Sequence, residues 1–97
     1  MTQIENFDFS SYTKSSWRPK LHRTTWGELR LIIFVTTGRK EWPLCSVVPD
    51  FDMGINDPSL IEIKESLKYY TFPMTERFRT ELELVLSGLY KQPISLS

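Results

Sequence analysis

The sequence predicts an α+β domain with a short antiparallel β-sheet packed with two or more helices. Three observations predict it. Apolar residues alternate from Leu29 to Val35 ahead of a turn and a second β-rich run, Asp57-Pro58 carries a helix-start signature, and Phe78 to Leu89 recur at helical spacing. Ninety-seven residues are enough for one compact domain spanning 1–97 with a single core. A hydrophobic content of 40% supplies that core, and a charged content of 25%, the ordinary globular value, argues against wholesale disorder.

Each element has its own justification. Met1 to Phe9 is acidic and polar rather than basic and then apolar, so no signal peptide is expected, and Ser10, Ser11, Ser15 and Ser16 read as a loop. From Trp26 onward, Leu29, Leu31, Ile33 and Val35 fall on one face of a strand and Ile32 and Phe34 on the other, which predicts a strand covered on both sides. Trp26 heads this strand and is read as core. Thr37 to Glu41 supply the turn, with Gly38 free to take positive φ, and Trp42 to Val48 complete a hairpin over about 27–48. Pro43 removes a ladder donor and places its strand at an edge, leaving the other side of the first strand for a third partner. That partner is sought in Phe7 to Ser11, which is short, or within Ser16 to Arg23, which contains Pro19. Asp57 caps a helix of about 58–70 whose first position is Pro58, with Leu60, Ile63, Leu67 and Tyr70 at helical spacing; Leu60 to Lys64 also alternates as a strand would. The last helix, about 75–90 after Pro73 and Thr75, buries Phe78, Leu82, Val85, Leu86 and Leu89. Its pairs Arg77 with Glu81 and Arg79 with Glu83 are expected to solvate its outer face.

Charge cancels in total but not in place. Residues 14–42 hold Lys14, Arg18, Lys20, Arg23, Arg30, Arg39 and Lys40 against Glu28 and Glu41, a net +5, whereas residues 43–66 hold Asp50, Asp52, Asp57, Glu62 and Glu65 against Lys64, a net −4. On a folded surface, two such regions attract different partners.

Groups poised for catalysis are few. His22, between Leu21 and Arg23, reads as a surface or partner contact, and Cys45, alone in an apolar run, reads as a small buried hydrophobe in a reducing compartment. A Cys45–His22 pair lacks any local signature of an activated thiol, and one cysteine with one histidine cannot fill a tetrahedral zinc site. The loop from Asp50 starts like a calcium loop but has Gly54 fifth, Ile55 sixth and Ile61 twelfth, where that loop needs an oxygen ligand, a glycine and a bidentate Glu. Gly27, Gly38, Gly54 and Gly88 are too scattered for a P-loop or dinucleotide fingerprint. No enzyme, no metal and no cofactor is expected. The longest apolar run, Leu31 to Val35, falls far short of the roughly 20 residues of a spanning helix, so the expected location is cytoplasmic.

Two surface readings follow. In the first, Asp50, Asp52, Asp57, Glu62 and Glu65 form a carboxylate row that imitates a phosphate backbone and docks in a basic, nucleic-acid-binding groove of a partner protein, with Phe51 and Tyr69 as aromatic anchors. Against it, Asp57 is a sufficient cap, and Glu62 and Glu65 suit a helix N-terminus. In the second, Arg18, Lys20, Arg23, Arg39 and Lys40 bind nucleic acid directly while Trp17 stacks on bases, as a small accessory protein would.

Small size, absent catalytic groups, high aromatic content and a carboxylate row on an α+β body together resemble small phage-encoded inhibitors of the anti-CRISPR type. That resemblance implies a protein acting in the host cytoplasm that blocks target DNA from a CRISPR-Cas surveillance complex by occupying its basic DNA-binding surface.

Overall fold

The computed structural model describes residue 9 and residues 17–69 and 76–96, without the side chains of Thr37 and Tyr69. Strands β1 (Trp17–Arg23), β2 (Leu29–Thr37) and β3 (Lys40–Val47) form an antiparallel sheet in that order, followed by a 3-10 segment (Phe51–Asn56) and helices α1 (Pro58–Tyr69) and α2 (Glu76–Tyr90). This is the α+β fold that the periodicities predict. Lys14, Tyr70, Pro73, Thr75 and, apart from Phe9, the stretch 7–11 lie outside the described residues.

The third strand lies within 16–23. Pro19 sits opposite Ile33 in β1, and Pro43 sits opposite Phe34 in β3. Both strands are edges of the sheet, where a missing N–H faces away from the ladder. The register of β3 slips between Ile33 and Phe34, which leaves Leu44 as the extra residue of a bulge. Gly38 takes φ +63° and Arg39 has no positive φ, so the hairpin turns at a residue pair whose first member alone needs glycine.

Among the described residues, the helices cover one face of the sheet. Trp17, Leu31, Ile33, Val35 and Val47 meet Leu60 and Ile63 of α1 and Phe78, Leu82, Val85, Leu86 and Leu89 of α2, with Ile94 and Leu96 closing the core. Every member of the expected α2 stripe is buried. On the other face Ile32 and Phe34 are half-buried and no described helix covers them, which corrects the expectation of a strand enclosed on both sides. Trp26 is also corrected: it projects from the turn between β1 and β2 and is 75% exposed, because Thr24 and Gly27 close that turn through Gly27 N–H to Thr24 O (3.0 Å) and Thr24 N–H to Glu28 O (2.8 Å). Trp17 takes the core position instead, at 1% exposure, edge-on to Phe78 with centroids 5.9 Å apart.

Residues 60–64 are helical, so α1 displaces the strand alternative. Of the two expected surface pairs on α2, Arg77–Glu81 forms and Arg79–Glu83 does not among the described residues, and both glutamates have structural partners. Glu81 is buried, accepting from the Trp17 indole and from Arg77 Nε (3.2 Å), while Glu83 accepts the Leu96 N–H (2.7 Å) and holds the C-terminal stretch against the helix. No described helix is long and apolar enough to cross a membrane.

Candidate functional site

The linear separation of charge becomes a separation between layers. The sheet residues 17–47 carry six Lys or Arg against two Glu, whereas residues 50–66, from the end of the sheet into α1, carry five Asp or Glu against Lys64. The segment joining these layers is shaped by Asp57. Its Oδ1 accepts the Ser59 N–H (3.0 Å) as the helix cap expected of it, and its Oδ2 accepts both the Asp50 N–H (2.8 Å) and the Tyr90 hydroxyl (2.6 Å). Asp57 is 2% exposed. It is therefore not part of a partner-facing row, and this corrects its place among the binding residues. Burial and the bond to Asp57 raise the Tyr90 hydroxyl far above its ordinary pKa, so it stays a donor.

Phe51 is corrected in the same way: half-buried, it packs edge-on against the Tyr90 ring at 4.9 Å. Gly54 kinks the 3-10 segment at φ +58° and ψ −137°, a conformation reserved for glycine, and a Cβ there would run into the Gln92 side-chain amide. Tyr69 ends α1, and its side chain lies outside the described residues.

Three carboxylates of the expected row remain together. Asp50 and Glu62 line a shallow groove of about 360 Å³ between the end of β3 and the start of α1, with Met53, Pro58 and Arg30 in its walls; Asp52 stands exposed on the adjoining 3-10 segment. Asp50 Oδ1 accepts the Asp52 N–H (3.2 Å), which fixes the two side by side. None of the three makes an ion pair among the described residues. Arg30 is the nearby cation of the groove, yet its guanidinium is committed to Glu28 (2.6 Å) and Ser46 Oγ (3.0 Å).

Glu65 leaves the row. It pairs with Lys68 (3.2 Å) and lines a different groove with Lys64, Lys68 and Arg79, facing α2. Glu62 and Glu65, three apart on α1, share one helix face but line different grooves.

The basic set is distributed unevenly. Arg18 and Lys20 alternate outward on β1, on the sheet face away from the helices, and Arg23 ends the strand donating to Gly27 O (2.7 Å). Arg39 and Lys40 occupy the β2–β3 hairpin tip, where the Lys40 ammonium lies 5.6 Å over the Trp42 ring. Trp17, buried as described, cannot stack on bases, which corrects that assignment.

His22 and Cys45 are on opposite faces of the sheet and opposite edge strands, so they do not meet. Burial pushes the Cys45 thiol up to about 11, which makes it a poor nucleophile near neutral pH. No group of three or more metal-ligating side chains converges among the described residues. Sequence reasoning missed Glu81 and Tyr90, whose polar atoms are fixed by partners 64 and 33 residues away, a distance over which no local pattern speaks. The chain matches no protein-family model, no curated protein and no solved structure.

Proposed function

We propose that this chain is a non-catalytic binding protein whose acidic ridge of Asp50, Asp52 and Glu62 occupies a basic, nucleic-acid-binding groove of a partner protein. The observation that carries the reading is the arrangement of the ridge: solvated Asp50 and Glu62 lining one groove with Asp52 beside Asp50, without ion pairs among the described residues. An arginine or lysine of the partner enters the groove between Asp50 and Glu62, laying its aliphatic stem on Met53 and Pro58 while its cation takes the place of a solvent counter-ion. Exposed carboxylates act mainly through encounter, so association is fast at low salt and falls as ionic strength rises. A CRISPR-Cas surveillance complex, whose channel binds target DNA through Lys and Arg, is a partner of this chemistry and the one suggested by the anti-CRISPR resemblance.

The test is charge reversal read against a captured partner. The wild-type chain is used to pull a partner from a host lysate, and competition with DNA then establishes whether both occupy one surface. Asp52→Lys with Glu62→Lys is expected to weaken capture by tenfold or more and to flatten its salt dependence, the combined effect of about 1.4 kcal/mol or more from reversing two solvated charges. Glu65→Lys, outside the ridge, leaves capture unchanged. Undiminished capture by the double variant, or indifference to DNA, overturns the proposal.

A further inference from the structure

The sheet face that the helices leave uncovered carries a second kind of chemistry. Strand alternation brings Arg18, Lys20 and His22 of β1 to the same side as Arg30, Ile32 and Phe34 of β2. In the register, Arg18, Phe34 and Pro43 form one row across the three strands. A guanidinium plane, a phenyl ring and a pyrrolidine ring therefore stand side by side, and all three are groups on which a planar base stacks. The adjoining rows set Lys20 beside Ile32 and Ser46, and His22 beside Arg30.

Ion pairing on this face is weak. Arg18 reaches Glu41 (2.9 Å), but the two side chains are 67% and 39% exposed, so the pair contributes little and yields readily to a phosphate. Lys20 and His22 make no ion pair among the described residues. The two glutamates of the layer, Glu28 and Glu41, are already matched to Arg30 and Arg18, so no unmatched anion in the sheet opposes a polyanion.

We propose that this outer sheet face binds single-stranded nucleic acid, with Phe34 and Pro43 stacking bases while Arg18 and Lys20 meet phosphates. The occupant follows from the chemistry of the row. An acidic peptide satisfies the cations but leaves the ring unused, and a duplex keeps its base faces stacked inside, whereas a single strand offers phosphates and base faces together. Arg18, Lys20, Phe34 and Pro43, on which the proposal rests, do not line the groove of the acidic ridge.

The experiment is fluorescence anisotropy of a labelled twelve-nucleotide oligo-dT with the full chain, with a twelve-base-pair duplex and a poly-glutamate peptide as competitors. Oligo-dT is expected to bind at low salt with a log–log salt slope of about −1.4, the value for two phosphate-facing cations on a single strand. Lys20→Ala, at an exposed position, reduces that slope by about 0.7. Phe34→Leu, which keeps apolar bulk on the half-buried site, weakens binding by about fivefold or more through lost stacking while leaving the slope unchanged. Circular dichroism of both variants confirms folding. Absence of oligo-dT binding at low salt overturns the proposal, as does binding indifferent to Phe34→Leu. Displacement by poly-glutamate at equal charge with no preference for the oligonucleotide assigns the face to acidic peptides, and tighter duplex than single-strand binding removes the stacking role; each likewise overturns it.

Discussion

Replacing Asp57 by alanine should cost this domain about 3–4 kcal/mol. The carboxylate is 2% exposed and receives three hydrogen bonds, from Ser59 N–H, Asp50 N–H and Tyr90 O–H. Loss of a helix cap is worth about 1 kcal/mol. Tyr90, 4% exposed, keeps a buried hydroxyl with no acceptor, at about 1–3 kcal/mol. The Asp50 N–H is only part-buried, so water replaces its partner and about 0.5–1 kcal/mol is lost there. Urea unfolding followed by fluorescence reads the sum as a midpoint lowered by roughly 2 M, taking a slope of about 1–3 kcal/mol/M for a small domain. Tyr90→Phe removes the hydroxyl and its desolvation together and keeps the ring on Phe51, so it costs about 1–2 kcal/mol. The double variant Asp57→Ala with Tyr90→Phe should then cost at least about 1 kcal/mol less than the sum of the singles, because the orphaned hydroxyl is gone. An Asp57→Ala midpoint within about 0.3 M of the parent, or strict additivity in the double variant, would refute the structural role and return Asp57 to the surface.

Two further outcomes are expected. Gly54→Ala should destabilise by about 1–3 kcal/mol in the same unfolding assay, since φ +58° with ψ −137° is strained for any residue with a Cβ; an unchanged midpoint would contradict that backbone geometry. Cys45 gives a pH dependence with a defined sign. Below pH 9 the thiol is protonated in both folded and unfolded chains and its contribution is complete; above the ordinary value of 9.0 the unfolded chain ionises first, so stability falls until the folded thiol titrates at about 11. The loss across pH 9–11 is about 2–3 kcal/mol, and Cys45→Ala should remove that part of the slope. Equal slopes for the two proteins over that window would show that the thiol is not desolvated.

The fold was legible where burial follows local periodicity. The Leu29–Val35 alternation, the Asp57-Pro58 cap and the α2 stripe each bury what their spacing implies. The two tryptophans exchanged their expected places for a physical reason that the sequence contained but Pro19 obscured. Trp17, Pro19 and Leu21 alternate with Arg18, Lys20 and His22, the pattern of a one-sided strand, and proline at an edge is compatible with it. Trp26 follows two threonines and precedes Gly27, a turn environment that places it in solvent. The acidic row was legible only in part. Asp50, Asp52 and Glu62 are solvated by local geometry, whereas the burial of Asp57 depends on a tyrosine 33 residues downstream, and the departure of Glu65 depends on Lys64, Lys68 and Arg79 gathering on one side of α1.

Chain order explains why a neutral protein has two charged layers. The basic block supplies consecutive strands, which by adjacency become one sheet, and the acidic block supplies the next two elements, the 3-10 segment packing on α2 and α1 packing beside β3. The inner sheet face is consumed by the core, so the cations that remain exposed are directed outward or to the turns, while the carboxylates gather at the junction between sheet and helix. The two layers consequently respond alike to salt but oppositely to charge substitution. Lys20→Ala acts on polyanion binding and spares a basic partner, and Glu62→Lys does the reverse, so that the pair of variants assigns any salt-sensitive association of this protein to one layer.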